Sequence, residues 1–302
     1  MVDCAEKVVQ YKMLYIQMLL LYYCVLSITV TICNKIILVY TNASFLVLFG
    51  QSVIILALLY MSSYAKLISY RSIDYKHAKG WIPIIILLVV SIYSNNKSLQ
   101  NLPISHFNII KGFGIVLVAI GDGILFQYND LGKIMRETYL LVAIITLSNV
   151  ILIKEDFMLL KSEGFKWSII NCVTCSLYTL CTKHHRLQYP YITNIDYVYY
   201  NTVLSIPVLL AFSLFENNIN FTAHFTIELS SLLIISSVLT FLLTYVISMI
   251  SEQKLTVKYT VVSCLNKIPM NIVSMLIFSD ESFTMRHVFS MSCATVGVYL
   301  IS

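Results

Sequence analysis

The sequence predicts an all-α polytopic membrane protein of about ten transmembrane helices in two inverted five-helix repeats. Three observations predict it: an apolar composition, recurring apolar runs of about twenty residues, and an uneven distribution of basic residues between alternate loops. Of 302 residues, 58% are hydrophobic and 12% charged, and the mean hydropathy is +0.81. Soluble domains carry about 25% charged residues, so these side chains are meant for lipid and for each other. Five prolines and nine glycines leave no room for a flexible linker. The expectation is a single membrane domain over 1–302, with a first repeat at about 13–153 and a second at about 165–302.

Taken in order, the spans run approximately 13–39, 45–65, 80–99, 103–127, 138–153, 165–183, 193–215, 229–250, 255–278 and 285–302. The first follows a short stretch of mixed charge, "MVDCAEKVVQYK". Its apolar run is too long for a signal-peptide core, so the span is expected to be retained.

With the N-terminus on the cytosolic side, twelve basic residues fall there: Lys7, Lys12, Lys66, Arg71, Lys76, Lys79, Lys133, Arg136, Lys183, Arg186, Lys254 and Lys258. Five face the other way: Lys97, Lys154, Lys161, Lys166 and Arg286. That bias predicts cytosolic N- and C-termini. Sequons at Asn42, Asn96 and Asn220 all fall on the far side, as a secretory-pathway lumen requires. Asn220 has the roomiest loop; the other two lie close to the bilayer.

An odd number of spans per half turns the second half upside down relative to the first, the layout of inverted-repeat transporters. Lys111 lies in the fourth span of the first half and Lys267 in the fourth of the second. At 1.5 Å per residue Lys111 sits on the order of 12 Å from the lumenal end of its helix and Lys267 roughly 18 Å from the cytosolic end of its own, which puts both near the midplane. A charge there costs roughly 2.5–3.5 kcal/mol on insertion scales. Two buried cations tolerate each other when an anion joins them, and phosphate suits lysine's point charge. The alternative is a structural ion pair of Lys267 with Asp122 or Asp196.

Each lysine belongs to a polar stripe. On span 9, Tyr259, Ser263, Asn266, Lys267, Met270 and Ser274 share a helix face; on span 4, Asn108, Lys111, Ile115, Val118 and Asp122 do. Such stripes face protein or a water-filled cavity. Lys35, near the lumenal end of span 1, is expected to snorkel to the interface. In span 7, Asn201 offers the donor and acceptor of an amide for a nucleobase edge, and Tyr200 a ring or hydroxyl. Pro207 is expected to bend that span. Tyr189, Tyr191, Tyr197 and Tyr199 read as an interfacial aromatic belt.

Eight cysteines occur, and Cys172 and Cys175 have CxxC spacing without a second ligand pair. They read as packing residues, and neither metal nor cofactor is expected. The adjacent His184 and His185 read as a solvated loop pair. No nucleophile elbow, phosphate-binding glycine loop or zinc-protease helix is present. An enzyme is therefore not expected, and nothing calls for a nucleic-acid partner.

"SCLNKIP" (263–269) resembles the GALNK motif of the GDP-mannose transporters, Golgi nucleotide-sugar carriers of the drug/metabolite transporter superfamily. "YYNTVLSIPVLL" (199–210) is similar to their FYNN motif, and the likeness extends to "YCVLSITVTICNK" in span 1 and "SLQNLPISHFNIIKGFGIVLVAIGD" in spans 3 and 4. The resemblance implies that Tyr200 and Asn201 read a guanine base, with Thr202 standing at the second amide of FYNN. It implies that Asn266 and Lys267 hold sugar and diphosphate, and that Lys111 is a second basic contact. Tyr259 matches a pocket tyrosine, and Tyr23 in span 1 another. Ser263 and Cys264 replace Gly and Ala of GALNK, and both remain small.

The mechanism implied is alternating access that exchanges an incoming GDP-sugar for an outgoing nucleoside monophosphate in a Golgi or other secretory-pathway membrane. Membrane lipid is the surrounding partner, and a homodimer is left open. The alternatives are a carrier of another nucleotide sugar, such as a UDP-sugar, and a polytopic enzyme acting on sugar donors.

Overall fold

Inside a bilayer each backbone N–H and C=O has to be satisfied within its own segment, which makes apolar runs helical. The computed structural model describes residues 2–41, 44–72, 75–125, 161–214, 227–252 and 266–277. Among these the long elements are all α-helices: α1 (Val2–Thr41), α2 (Ser44–Tyr64), α3 (Tyr75–Asn101), α4 (Ile104–Leu125), α5 (Glu163–Gln188), α6 (Asn194–Leu214), α7 (Ile227–Glu252) and α8 (Lys267–Ile277).

Among the described residues five stretches are long and apolar enough to cross a membrane: Leu14–Thr41, Ser44–Tyr64, Ala78–Asn101, Asn194–Leu214 and Ile227–Ile247. The protein is therefore helical and multi-pass. Spans 1–4 and 6–8 of the sequence reading coincide with α1–α7 to within a few residues, except that α1 begins well before residue 13. Spans 5 and 10, half of span 9, and Asn42 and Asn220 lie outside the described residues.

Local chemistry fixes the helix ends. α2 stops in a Schellman turn: the amide of Leu67 donates to the carbonyl of Ser62 and that of Lys66 to Ser63, each at 3.0 Å. Lys66 takes the left-handed position, φ 58°, where glycine is usual because other residues clash at Cβ. α5 is capped by Ser162, whose hydroxyl accepts from the Phe165 amide at 3.2 Å. α6 opens on a reciprocal capping box. The Asp196 amide donates to Thr193 Oγ1 at 3.2 Å, and the Thr193 amide donates to Asp196 Oδ2 at 2.8 Å.

Small and polar residues bring α3 and α5 close together. Ser98 shares a short hydroxyl contact with Ser168 and donates to the Gly164 carbonyl at 3.3 Å. Asn171 donates to the Ser91 carbonyl at 2.7 Å. A Cβ at Gly164 would fall 2.6 Å from Leu102 Cγ and 3.1 Å from the Asn101 carbonyl carbon, so this crossing needs glycine. Asn96 is buried inside α3, which removes its sequon from any open loop.

A second polar junction joins α1, α2 and α7. The Gln51 amide donates to Asn34 Oδ1 and to Ser236 Oγ, both at 2.9 Å, and the Ser236 hydroxyl donates to Asn34 Oδ1 at 2.6 Å. Gln51 and Ser236 are buried, and the triangle satisfies its polar groups internally, as burial in lipid demands. The largest apolar cluster lies between α2, α3 and α6 around Trp81, Leu59, Tyr197 and Tyr200.

Candidate functional site

Asn201 stands seven residues after the start of α6, roughly 10 Å along its axis. Its carboxamide is held on both sides. Trp81 Nε1 of α3 donates to Asn201 Oδ1 at 2.8 Å, and Asn201 Nδ2 donates to the Tyr178 hydroxyl of α5 at 2.8 Å. Three helices thus meet on one side chain. Trp81 is 0% exposed, and its ring packs 4.6 Å from that of His185 and 4.9 Å from that of Tyr197.

Its neighbours on α6 are also engaged. Tyr200 is 4% exposed, and its hydroxyl donates to the Ser72 carbonyl at 3.2 Å. Thr202 Oγ1 donates to the Val198 carbonyl of its own helix at 2.8 Å. The segment 65–72 is fastened to the same end of α6, because the Arg71 amide donates to Asp196 Oδ1 at 2.7 Å. Tyr70 and Tyr199 stack beside it with ring centroids 4.1 Å apart, and Tyr60 meets both edge-on.

The other predicted residues gather elsewhere. α8 packs on α4 and α1, so the helix that Lys267 opens lies beside the helix that holds Lys111. Asn266, Met270 and Ser274, four residues apart, form one buried face. Met270 packs on Leu99, Ile104 and Phe107, with Ile28 of α1 alongside. Asn266 is 4% exposed and Ser274 0%. Among the described residues neither Asn266 Oδ1 nor Ser274 Oγ has a hydrogen-bond partner. A buried amide oxygen left this way costs about 1–3 kcal/mol.

Lys111 is half-buried, and its ammonium lies 4.6 Å from the Phe107 ring centroid, a cation–π distance. Asn108 is buried on the same helix, and Tyr23 is buried between α1 and α7. Tyr259, Ser263 and the side chains of Lys267 and Asp122 lie outside the described residues. Both oxygens of Asp196 accept from backbone amides, Oδ1 from Arg71 and Oδ2 from Thr193.

Three expectations are corrected. Lys35 does not snorkel: it is 7% exposed, because the face it shares with Leu38 and Thr41 is covered, and Gln100 of α3 donates to the Leu38 carbonyl there at 2.8 Å. Tyr197 and Tyr199 are buried because α2 and α3 pack over that face of α6, so they are not belt residues. His185 is buried within α5 against Trp81, although His184 is exposed. Lys97 belongs to α3, where its ammonium donates to Gln100 Oε1 at 3.4 Å. The CxxC pair is split by helix geometry: Cys172 is buried and donates to the Ile110 carbonyl at 3.1 Å, while Cys175 is exposed.

Trp81 and Tyr178 escape sequence reasoning. They lie 120 and 23 residues from Asn201, and no spacing rule links them to it. The usable signal is physical: an amide within an apolar span needs partners.

Buried amides, a half-buried lysine and helix junctions made of polar triads define a multi-pass helical membrane protein with a polar interior. Comparison with known proteins narrows the class. The chain is 30% identical over 277 residues to the GDP-mannose transporter of Schizosaccharomyces pombe, covering 87% of this chain and 79% of that protein. It is 30% identical to that of Kluyveromyces lactis, covering 89% and 84%, and 31% identical to that of Aspergillus clavatus, covering 91% and 76%. No family model matches the chain. The chain belongs to the GDP-mannose transporter family, a family of carriers and not of enzymes.

Proposed function

We propose that this protein carries GDP-mannose into a Golgi or related secretory-pathway lumen in exchange for GMP. It works by alternating access between two inverted five-helix repeats, about 13–153 and 165–302, with both termini cytosolic. Two things support the cargo: the relatives bear the name GDP-mannose transporter, and the two motifs that resemble GALNK and FYNN stand at 263–269 and 199–210.

One observation carries the mechanism. α8, opened by Lys267, packs on α4, the helix of Lys111, and the shared face holds a buried amide oxygen without a partner among the described residues. Lys111 and Lys267 hold the diphosphate, and Asn266 and Ser263 hold the sugar-phosphate portion. Asn201 and Tyr200 read the base, with Thr202, Tyr259 and Tyr23 completing the pocket. Two cations near one another in low dielectric repel, so the cavity is more stable refilled with some phosphate than empty. The empty carrier then reorients slowly, and exchange is near-obligatory.

The test is counterflow in proteoliposomes. Preloading with GMP is expected to accelerate uptake of labelled GDP-mannose by at least several-fold over empty vesicles; equal uptake in both contradicts exchange. Thr202, in place of an amide, favours one second reading, a UDP-sugar cargo. Stronger inhibition by UMP than by GMP would select it.

A further inference from the structure

We propose that Trp81 and Tyr178 are specificity-determining positioning residues that lock the Asn201 carboxamide in one of its two orientations. The inference rests on Asn201 being the base contact. An amide can turn by half a revolution and exchange its donor and acceptor ends at little steric cost. The indole N–H of Trp81 can only donate, so it holds the oxygen end at 2.8 Å. The nitrogen end is then left for the Tyr178 hydroxyl, also at 2.8 Å. Trp81 itself is wedged between His185 and Tyr197 and is fully buried, so the orientation is set by rigid packing.

These two bonds use half of the amide's capacity. One acceptor lone pair and one N–H remain, and Asn201 is only partly buried. The free pair matches an adjacent donor and acceptor on a purine edge such as guanine, which presents N–H groups beside a carbonyl oxygen. In the flipped orientation the same groups meet like with like.

Orientation matters more here than in a two-amide motif. The hydroxyl of Thr202, at the second position, is spent on the Val198 carbonyl. A single amide carries the reading, and Trp81 and Tyr178 decide which way it reads.

The experiment compares inhibition of labelled GDP-mannose uptake by GMP and by AMP, whose base reverses the donor and acceptor of the guanine edge, for the full-length protein in proteoliposomes. Trp81→Phe keeps an aromatic ring and deletes the donor; Tyr178→Phe deletes one hydroxyl. Trp81→Phe is expected to narrow the GMP-over-AMP preference by about tenfold and Tyr178→Phe by about threefold, the losses of one hydrogen bond each. A merely structural role would lower thermal stability and leave that ratio unmoved. Should Trp81→Phe not fold, Tyr178→Phe decides alone, since it removes a single oxygen. A wild-type ratio in the Phe variants, with a narrowed ratio in Asn201→Ala, overturns the positioning role only. A wild-type ratio in Asn201→Ala overturns the base reading beneath it.

Discussion

The two clusters of candidate residues are built in opposite ways. Around Asn201 the candidate groups are tied to protein partners: indole to amide, amide to phenol, tyrosine to backbone, carboxylate to two amides. Along α8, Asn266 and Ser274 are buried with oxygens that have none among the described residues. Satisfied networks are rigid and hold one geometry, while unmet groups in a low-dielectric interior are costly until something fills them. The contrast suits a carrier that keeps one half of its site fixed for recognition and lets the cargo complete the other.

The sharpest way to break this contrast is Lys267→Ala. It removes the cation that follows Asn266 in the chain and is expected to reduce GDP-mannose uptake to background while the protein still folds, checked by size-exclusion elution and thermal melting. Normal uptake would reduce Lys267 to a structural role. At the satisfied end the effect is smaller: Asn201→Ala is expected to raise the half-saturation concentration about tenfold, the equivalent of one good hydrogen bond, with the maximal rate less affected.

Two further changes probe the scaffold and leave the site alone. Gly164→Ala places a methyl group 2.6 Å from Leu102 and is expected to destabilise the protein by about 1–3 kcal/mol, read as a lower melting temperature. Lys66→Gly relieves a left-handed backbone at φ 58° and is expected to stabilise by about 0.5–1 kcal/mol, measured the same way. A Gly164 variant that melts like wild type would show that α3 and α5 can move apart freely.

Much of the fold was legible because its signals are local. Twenty-residue apolar runs define helices whatever surrounds them, and the four-residue spacing of Asn266, Met270 and Ser274 places them on one face before any neighbour is known. Lys35, Tyr197 and His185 were misread for the converse reason. Each has a side chain that suits an interface, and only the helix packed over it, α3 in every case, determines that it is buried. Trp81 and Tyr178 were invisible because a hydrogen bond across 120 residues leaves no trace in spacing. Asn201 could be nominated from its own chemistry, but its partners could not.

The most direct measurement is the melting temperature of the purified protein with GMP and with guanosine at equal concentration, for wild type and Lys267→Ala. At a hundredfold excess over Kd a ligand stabilises the native state by about 2.7 kcal/mol. If phosphate compensates Lys111 and Lys267, GMP raises the wild-type melting temperature, guanosine leaves it almost unchanged, and Lys267→Ala loses the GMP response. Equal protection of the wild type by guanosine and GMP would contradict it.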